Sequence, residues 1–171
     1  MKMGAASDPT GLYRYSLWRE WNPDAARLGF VMLNPNRADA SVDDPTIRRC
    51  IGFARSWGYG SLEVVNLFAY RTAHPKMLCQ VVNPIGIEND DYLESLAHRV
   101  DRIILAWGNW GALQGRDRAV LSLLTNQESR LCLGMTKLGH PRHPLYLRGD
   151  TLPIPFSTNQ ASNSVQNWRE E

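Results

Sequence analysis

The sequence contains little cysteine, with 3 cysteines in a chain of 171 residues. Cys50, Cys79 and Cys132 are far apart and lack the C-x-x-C spacing of a structural zinc site. Three thiolates also cannot supply the four ligands of an iron–sulfur cluster. We therefore expect no metal site of these kinds. Because the cysteines have apolar neighbours, we predict reduced, mostly buried thiols.

Long apolar runs and an excess of charge are also missing. No run approaches the roughly 20 apolar residues that a membrane helix needs, and residues 1–10 lack the apolar region of a signal peptide. The 19 Lys and Arg residues against 17 Asp and Glu residues give a formal charge of +2, too small to indicate a nucleic-acid partner. A local basic patch is compatible with these totals. We expect a cytoplasmic monomer without membrane contact.

Three common catalytic and nucleotide-binding motifs are absent: GxxxxGK[ST], GxGxxG and GxSxG. The chain therefore lacks the signatures of phosphate-cradling loops, dinucleotide-binding domains and serine hydrolases. Serine, histidine and aspartate occur, but nothing in their spacing places them together.

Strand and helix patterns alternate along the chain. Apolar runs typical of strands covered on both faces occur at 28–33, 62–68, 102–107 and 130–134. Helical spacing and capping signals lie between them, at 44–58, 88–100 and 117–124. The alternation predicts an α/β protein, a three-layer α/β/α sandwich with a mostly parallel central sheet of about four strands. Period-two alternation in "YRYSLW" predicts an additional N-terminal edge strand.

The chain is long enough for one domain and short for two. We place that single α/β domain at residues 11–156. From Ser157 onward the sequence is polar, amide-rich and nearly free of aliphatic residues. Such a segment cannot bury enough apolar surface to offset its ordering entropy. We therefore expect flexible termini at 1–10 and 157–171.

Polar, aromatic and turn-forming residues follow each predicted strand. The four segments are Asn34-Pro35-Asn36, then Asn66 with "FAYRTAHP" (68–75), then "WGNWG" (107–111) and "KLGHPRHPLY" (137–146). Ligands of parallel sheets bind outside the carboxyl ends of the strands. We therefore expect these residues to face one another across a common crevice.

Two asparagines are the first candidates for a function. Asn66 interrupts "VVNLF", where a carboxamide without partners would cost on the order of 1–3 kcal/mol. Either the backbone satisfies it, or it awaits a ligand that presents a donor beside an acceptor, as a pyrimidine or purine edge does. Asn34-Pro35 is either a simple turn or a rigid loop in which Asn34 orients a water or a polar ligand edge.

Two histidines lie in the last of these segments. His140 and His143 each precede a proline, which favours an extended loop over a helix that presents metal ligands. A histidine here is suited to donate a hydrogen bond to a developing negative charge. The alternative is a histidine packed in a surface loop.

Aromatic and acidic residues complete the candidates. Trp107 and Trp110 frame glycines that let the backbone approach a ligand. Their rings either stack on a base or pack in the core. In "DDPTIRR", Asp44 has the position of a helix cap, which leaves Asp43 as the freer carboxylate for a base.

The chain from about Tyr13 to Phe156 resembles a bacterial and phage family catalogued as a domain of unknown function. The resemblance rests on "LNPNRAD…DDPTIRR", "GYGSLEVVNLFAYR", "AWGNWG" and "GHPRHPLYL". More distantly, the order of the motifs is similar to that of the uracil-DNA glycosylase superfamily. There a first-strand loop carries an Asp-Pro or Asn-Pro pair, a second strand ends in a base-reading Asn, and a late His-Pro-Ser loop supplies a histidine.

The distant resemblance implies a uracil-DNA glycosylase-like fold and roles for four residues. Asn34 corresponds to the residue that positions water, and Asn66 to the one that reads the base. His143 or His140 corresponds to the histidine that stabilises the departing base. The first loop carries no acidic residue at the matching position, and the serine of His-Pro-Ser is missing. Both departures weaken the inference of activity more than that of fold.

The leading hypothesis is a nucleobase N-glycosidase, a DNA glycosylase that hydrolyses the glycosidic bond of a damaged or modified base and needs no cofactor. The expected partner is DNA or a nucleotide-like small molecule. The alternatives are a hydrolase or transferase of free nucleosides or nucleotides, and a non-catalytic module that binds modified bases. The candidate catalytic residues are Asn34, Asp43, His143 and His140. The candidate substrate-binding residues are Pro35, Asn36, Asn66, Phe68, Trp107, Gly108 and Asn109. The candidate phosphate-binding residues are Arg71, Lys137, Arg142 and Arg148.

Overall fold

A seven-stranded mixed sheet forms the centre of the computed structural model, which describes residues 1–124 and 130–157. The strands are β1 (Lys2–Ser7), β2 (Arg14–Glu20), β3 (Arg27–Met32), β4 (Ser61–Asn66), β5 (Arg102–Leu105), β6 (Arg130–Cys132) and β7 (Ile154–Pro155). Their order across the sheet is β1-β2-β4-β3-β5-β6-β7. The protein is a mixed α/β protein, as the alternation of patterns predicts.

The middle and the edges of the sheet differ in strand direction. Strands β4, β3, β5 and β6 are parallel neighbours. Strands β1 and β2 add antiparallel pairs on one side, and β7 adds one on the other. The prediction of a parallel centre is confirmed. The prediction that the "YRYSLW" segment forms an edge strand is wrong, because β2 lies between β1 and β4.

The outermost strand, β1, comes from a segment expected to be a flexible terminus. Lys2–Ser7 pair with β2 along the register from Lys2 opposite Glu20 to Ser7 opposite Arg14. The backbone of Gly4 lies on the ring of Trp18, where an added Cβ would come within 2.1 Å of a ring carbon. The expectation for 1–10 is therefore corrected. Residues 158–171 of the predicted tail lie outside the described residues.

Within the described ranges, three α-helices follow the parallel strands. They are α1 (Pro45–Ser56), α2 (Asn89–Ser95) and α3 (Arg116–Leu123). Short 3-10 turns at Pro75–Cys79, Leu96–His98 and Asn109–Gly115 complete the connections. Asp44 caps α1 as predicted, because its Oδ1 accepts the amide hydrogen of Ile47 at 2.9 Å and proline follows at the first helical position. Helix α2 is shorter than the predicted 88–100, since its last turn is a 3-10 turn.

Apolar side chains cover both faces of the sheet. Ile47, Cys50 and Phe53 of α1 pack with Phe30 and Val64 on one face. On the other face, Leu93 of α2 and Val120 of α3 belong to one buried cluster with the sheet residues Val31, Val65 and Leu105. This two-sided burial explains why the central strands are continuous apolar runs.

The order of the parallel strands determines where the chain leaves an opening. The chain passes from β3 to β4 on one side, then crosses back to β5 on the other side of β3. Successive connections therefore diverge beyond the carboxyl end of β3, which is the usual position of a ligand crevice in α/β sheets.

Two expectations from composition concern membranes and thiols. In the part of the chain that the structure describes, no helix is both long and apolar enough to cross a bilayer. Cys50 and Cys132 are buried free thiols, and Cys79 is a free thiol at the surface. Burial raises the pKa of the Cys50 thiol, so it is a packing residue and not a nucleophile.

Candidate functional site

A cleft of about 320 Å³ opens beyond the carboxyl ends of β3, β4 and β5. Its volume is within the usual range of small-molecule sites. Seven of the candidate residues line it: Asn34, Asn36, Asn66, Trp107, Gly108, Asn109 and His143. They come from three separate loops and one strand end, so the predicted convergence is observed for these residues.

Asn66 is the last residue of β4, and its side chain is in the wall of the cleft. The residue is only 1% exposed, and its Nδ2 has no hydrogen-bond partner among the described residues. Its own carbonyl accepts a hydrogen bond from Asn89 Nδ2 at 2.9 Å, and Asn89 donates also to the carbonyl of Leu67 at 3.0 Å. The backbone at this strand end is therefore held, while Nδ2 of the side chain is unpaired.

Asn34 lies at the end of β3 with its amide oriented by the main chain. Its Nδ2 donates to the carbonyl oxygens of Pro35 at 3.0 Å and Thr72 at 2.8 Å. Nδ2 is thus bonded to two main-chain carbonyls and is not available to a ligand in the cleft. The acceptor Oδ1 is the end available for a water molecule or a ligand N–H.

His143 faces the cleft from the loop after β6. Its Nδ1 accepts the amide hydrogen of Leu145 at 3.2 Å, so Nε2 carries the proton of the neutral ring. Burial lowers the pKa of His143, and the nearby carboxylate of Asp44 raises it to a lesser extent. The ring is therefore a neutral hydrogen-bond donor at pH 7.

The "WGNWG" segment forms the wall on the β5 side. Gly108 has φ +73°, a left-handed conformation that suits glycine, and its amide donates to the carbonyl of Pro141 at 2.9 Å. Asn109 Oδ1 accepts from Thr136 at 2.6 Å. These two bonds join the loop after β5 to the loop that carries His143. Trp110 also lines the cleft and is partly exposed.

Four other candidates lie outside the cleft wall. Phe68 is fully buried in the core on the α2 and α3 face. Pro35 is buried and accepts the Asn34 and Thr72 amide hydrogens with its carbonyl. His140 is 2% exposed and near Asp117, and burial lowers its pKa. Asp43 accepts from Arg19 Nε at 2.8 Å.

These positions correct the expectations for those residues. The carboxylate of Asp43 is ion-paired with a fully buried arginine, so it is not the freer acid. His143, and not His140, is the histidine that lines the cleft. Because an intervening Pro-Arg pair separates the two histidines, the extended loop directs them to different surroundings.

The four candidate phosphate-binding cations also lie outside the lining. Arg71 donates to the carbonyls of Asn36 and Arg37, at 3.3 and 3.4 Å. Arg142 donates to the Met135 carbonyl, and Arg148 forms a two-point ion pair with Asp150. The fourth, Lys137, is exposed in a surface turn.

Two charged residues in the cleft wall were missed by the sequence analysis. Arg14, at the start of β2, is 2% exposed and lines the cleft. Asp44 lines it as well, in addition to capping α1. No local pattern distinguishes Arg14 from a surface residue of an alternating strand. Its position already explained Asp44 as a helix cap, so its place in the cleft wall was not expected.

The described residues do not form a metal centre. Within 1–124 and 130–157, no three side chains of His, Cys, Asp and Glu come together in an arrangement that could hold an ion. The side chains of the cleft wall supply amides, a neutral imidazole, indoles, threonine hydroxyls, one carboxylate and one guanidinium.

The fold and the cleft define an α/β domain with a polar cleft at the carboxyl end of its parallel strands. The chain belongs to the family described as Protein of unknown function (DUF1643), whose model matches residues 14–145. The matched range includes every residue of the cleft wall named above. No curated protein and no solved structure matches the chain.

Proposed function

We propose that this protein is a nucleobase N-glycosidase, a DNA glycosylase that acts on a damaged or modified base. The observation that carries the proposal is the unpaired amide of Asn66 in the same cleft as Asn34 and His143. A buried amide without partners is costly, and a base edge with a donor next to an acceptor would satisfy it. The proposal includes a relation to the uracil-DNA glycosylase superfamily, whose motif order is similar, and the corresponding sandwich fold.

The reaction would begin with a water molecule held by Asn34. With Nδ2 engaged by the Pro35 and Thr72 carbonyls, Oδ1 accepts one hydrogen of the water and directs its oxygen to the anomeric carbon of the sugar. The carbon–oxygen bond forms as the carbon–nitrogen bond breaks. The electron pair of the broken bond goes to the base nitrogen.

The departing base would be stabilised by hydrogen-bond donors. Asn66 Nδ2 and His143 Nε2–H would donate to the negative charge that develops on the base, and such bonds favour the transition state over the substrate. The proton released by the water passes to the base, which leaves as a neutral heterocycle. Asp44 is the carboxylate in the cleft that can relay this proton. Catalysis in this scheme requires no cofactor.

A second candidate is a hydrolase of free nucleosides or nucleotides. It is favoured by the positions of Arg71 and Arg148, whose guanidinium groups are engaged by carbonyls and by Asp150. Binding to duplex DNA draws on several phosphate contacts and weakens steeply with salt. A DNA glycosylase would need these pairs to rearrange, whereas a nucleoside hydrolase would not.

The test is release of base from two kinds of substrate. Oligonucleotides that each carry one modified base, single- and double-stranded, are incubated with the protein and scored for alkali-labile sites. Free nucleosides and nucleotides are scored for liberated base by chromatography. We expect activity in the first set, decreasing between low and moderate salt. Activity in the second set alone would select the second candidate.

Asparagine variants test the site. Asn66→Leu removes the amide at nearly constant volume, and we expect base release to fall by about a hundredfold, the usual effect of losing one transition-state hydrogen bond. Asn34→Ala should act similarly. Asn22→Ala, at an exposed turn outside the cleft, is the control. Binding of modified bases without any release would instead indicate a non-catalytic module.

A further inference from the structure

Three buried N–H donors in the cleft wall have no hydrogen-bond partner among the described residues. They are Arg14 Nε, Asn66 Nδ2 and Trp107 Nε1. Buried polar atoms are nearly always paired, so unpaired donors on three residues of one cleft wall favour a ligand at this site. All three atoms are donors. The ligand must therefore present acceptor oxygens or nitrogens to this wall.

Arg14 differs from the other two because its group is charged. Its Nη1 donates to the Ala38 carbonyl at 2.6 Å, and no carboxylate of the described residues is within ion-pair distance. Arg19, on the same strand and fully buried, provides the comparison. Its Nε is paired with the carboxylate of Asp43, and its Nη atoms donate to carbonyls that include Gly4 and Asp39.

Arg14 forms no ion pair among the described residues, so no carboxylate in direct contact compensates its charge. Burial lowers the pKa of Arg14 to about 10, so the guanidinium is still protonated at pH 7. The carboxylate of Asp44 raises the pKa of Arg14 more than that of Asp39 does, but its two oxygens accept the amide hydrogens of Ile47 and Ala38. Arg71 and Arg19 add positive charge nearby, and Asp39 adds negative charge.

We propose that the cleft binds an anionic ligand, with Arg14 as the residue that holds its negatively charged oxygen. Arginine is suited to this role because its planar group forms strong, directional bonds to carboxylates and phosphates. Resting on the proposed function, the inference identifies the substrates as anionic nucleobase derivatives. The charged oxygen belongs either to an acidic or carboxylated base or to the phosphate of a mononucleotide.

Titration calorimetry with matched ligand pairs tests this inference. One arm compares uracil with its carboxylated form, orotate. The other compares each of the four deoxynucleosides with its 5′-monophosphate. In wild-type protein we expect the anionic member of at least one pair to bind about tenfold or more tightly than its neutral partner. The arm that shows the preference identifies the source of the charge.

Substitutions assign the preference to one residue. Arg14→Gln should remove the preference, whereas Arg14→Lys should retain part of it. Arg118→Gln, which removes an exposed cation of α3 outside the cleft lining, should change nothing. Thermal denaturation checks that each variant is folded. The comparison in wild-type protein needs no variant, so it decides the question even if Arg14→Gln does not fold.

Two results would overturn the inference. One is the absence of any anion preference in wild-type protein, including an absence of binding. The other is a preference that persists in Arg14→Gln. The base-release assay distinguishes this failure from failure of the proposed function. Anion preference without base release refutes the N-glycosidase alone, and base release without any anion preference in wild-type protein refutes the inference alone.

Discussion

At the scale of single residues, two main-chain carbonyls determine which end of the Asn34 amide faces the cleft. Pro35 and Thr72 supply acceptors on the same side of the residue, and only the Nδ2 end of an amide can donate to both. Two main-chain carbonyls thereby fix the direction of Oδ1, the acceptor atom of the amide.

Asn34→Asp tests this orientation. The substitution replaces two hydrogen bonds by a carboxylate oxygen opposite two carbonyl oxygens, so we expect the free energy of unfolding to fall by about 1–3 kcal/mol. Urea denaturation measures the change. Asn36→Asp, at an exposed position in the same loop, should alter stability by less than about 0.5 kcal/mol. Equal stability of the two variants would mean that the carbonyls do not orient the amide.

The imidazole of His143 makes stability depend on pH. Burial, the largest cause, lowers the pKa of this residue below its ordinary value of 6.5. Unfolding restores the ordinary pKa, so between the two values the unfolded chain binds more protons than the folded one. The folded state is therefore favoured fully above about pH 6.5 and loses stability as the pH falls below that value. Burial of His140 acts in the same direction.

We expect His143→Asn to reduce this loss. Free energies of unfolding are measured in urea between pH 5 and 7.5, and the variant should show a smaller decrease toward pH 5 than wild-type protein. His74→Asn, which changes an exposed histidine, should leave the decrease as it is. An equal decrease in His143→Asn and wild-type protein would contradict the assignment.

At the scale of elements, one carboxylate joins helix α1 to the preceding loop. Asp44 Oδ1 accepts the amide hydrogen of Ile47 in the first turn, and Oδ2 accepts that of Ala38 at 3.2 Å. We expect Asp44→Ala to lower the free energy of unfolding by about 1–2 kcal/mol, as loss of a helix cap does. Asp24→Ala, an exposed aspartate, is the control in the same urea measurement. A cost of less than about 0.5 kcal/mol would show that the cap is dispensable.

The 3-10 turn after β5 holds the Trp107 ring by close approach of backbone. An added Cβ at Gly111 would come within 2.1 Å of the ring. Gly111→Ala should therefore displace the ring, cost about 1–3 kcal/mol of stability and change tryptophan fluorescence. Gly52 in α1 has no atom within 4 Å of the same added carbon. Gly52→Ala should raise stability by up to about 1 kcal/mol. Unchanged fluorescence in Gly111→Ala would contradict this packing.

At the scale of the whole molecule, the antiparallel strands protect the edges of a parallel sheet. β1 covers β2, whose side chains are mostly buried. Deletion of residues 1–8 should expose the hydrogen-bonding groups of β2 and lower the urea midpoint, because an uncovered edge loses its pairing and recruits other chains. Size-exclusion chromatography should show association at higher concentration. A monomeric deletion variant with an unchanged midpoint would show that β1 is dispensable.

The sequence predicts much of this arrangement and part of the site. The central strands were recognisable because burial on both faces produces continuous apolar runs, and the cap of α1 because Asp-Pro is a local signal. β1 was not recognisable from an apolar pattern, because its one buried residue is Gly4 and the other residues of the strand are partly or fully exposed. Asn34, Asn66 and His143 lie in one cleft, as the order of the strands led us to expect of their positions. Their chemical roles stay proposals.

The sequence by itself determined which loops meet, because parallel strands bring their carboxyl ends to one edge and the polar residues follow those ends. Only the tertiary structure decided which charges enter the cleft. Asp43 and Asp44 are neighbours in the chain, yet one pairs with Arg19 and the other lines the opening. Arg14 reaches the cleft from β2, whose place beside β4 is a long-range pairing. The direction and burial of a side chain depend on such distant contacts, which no local pattern records.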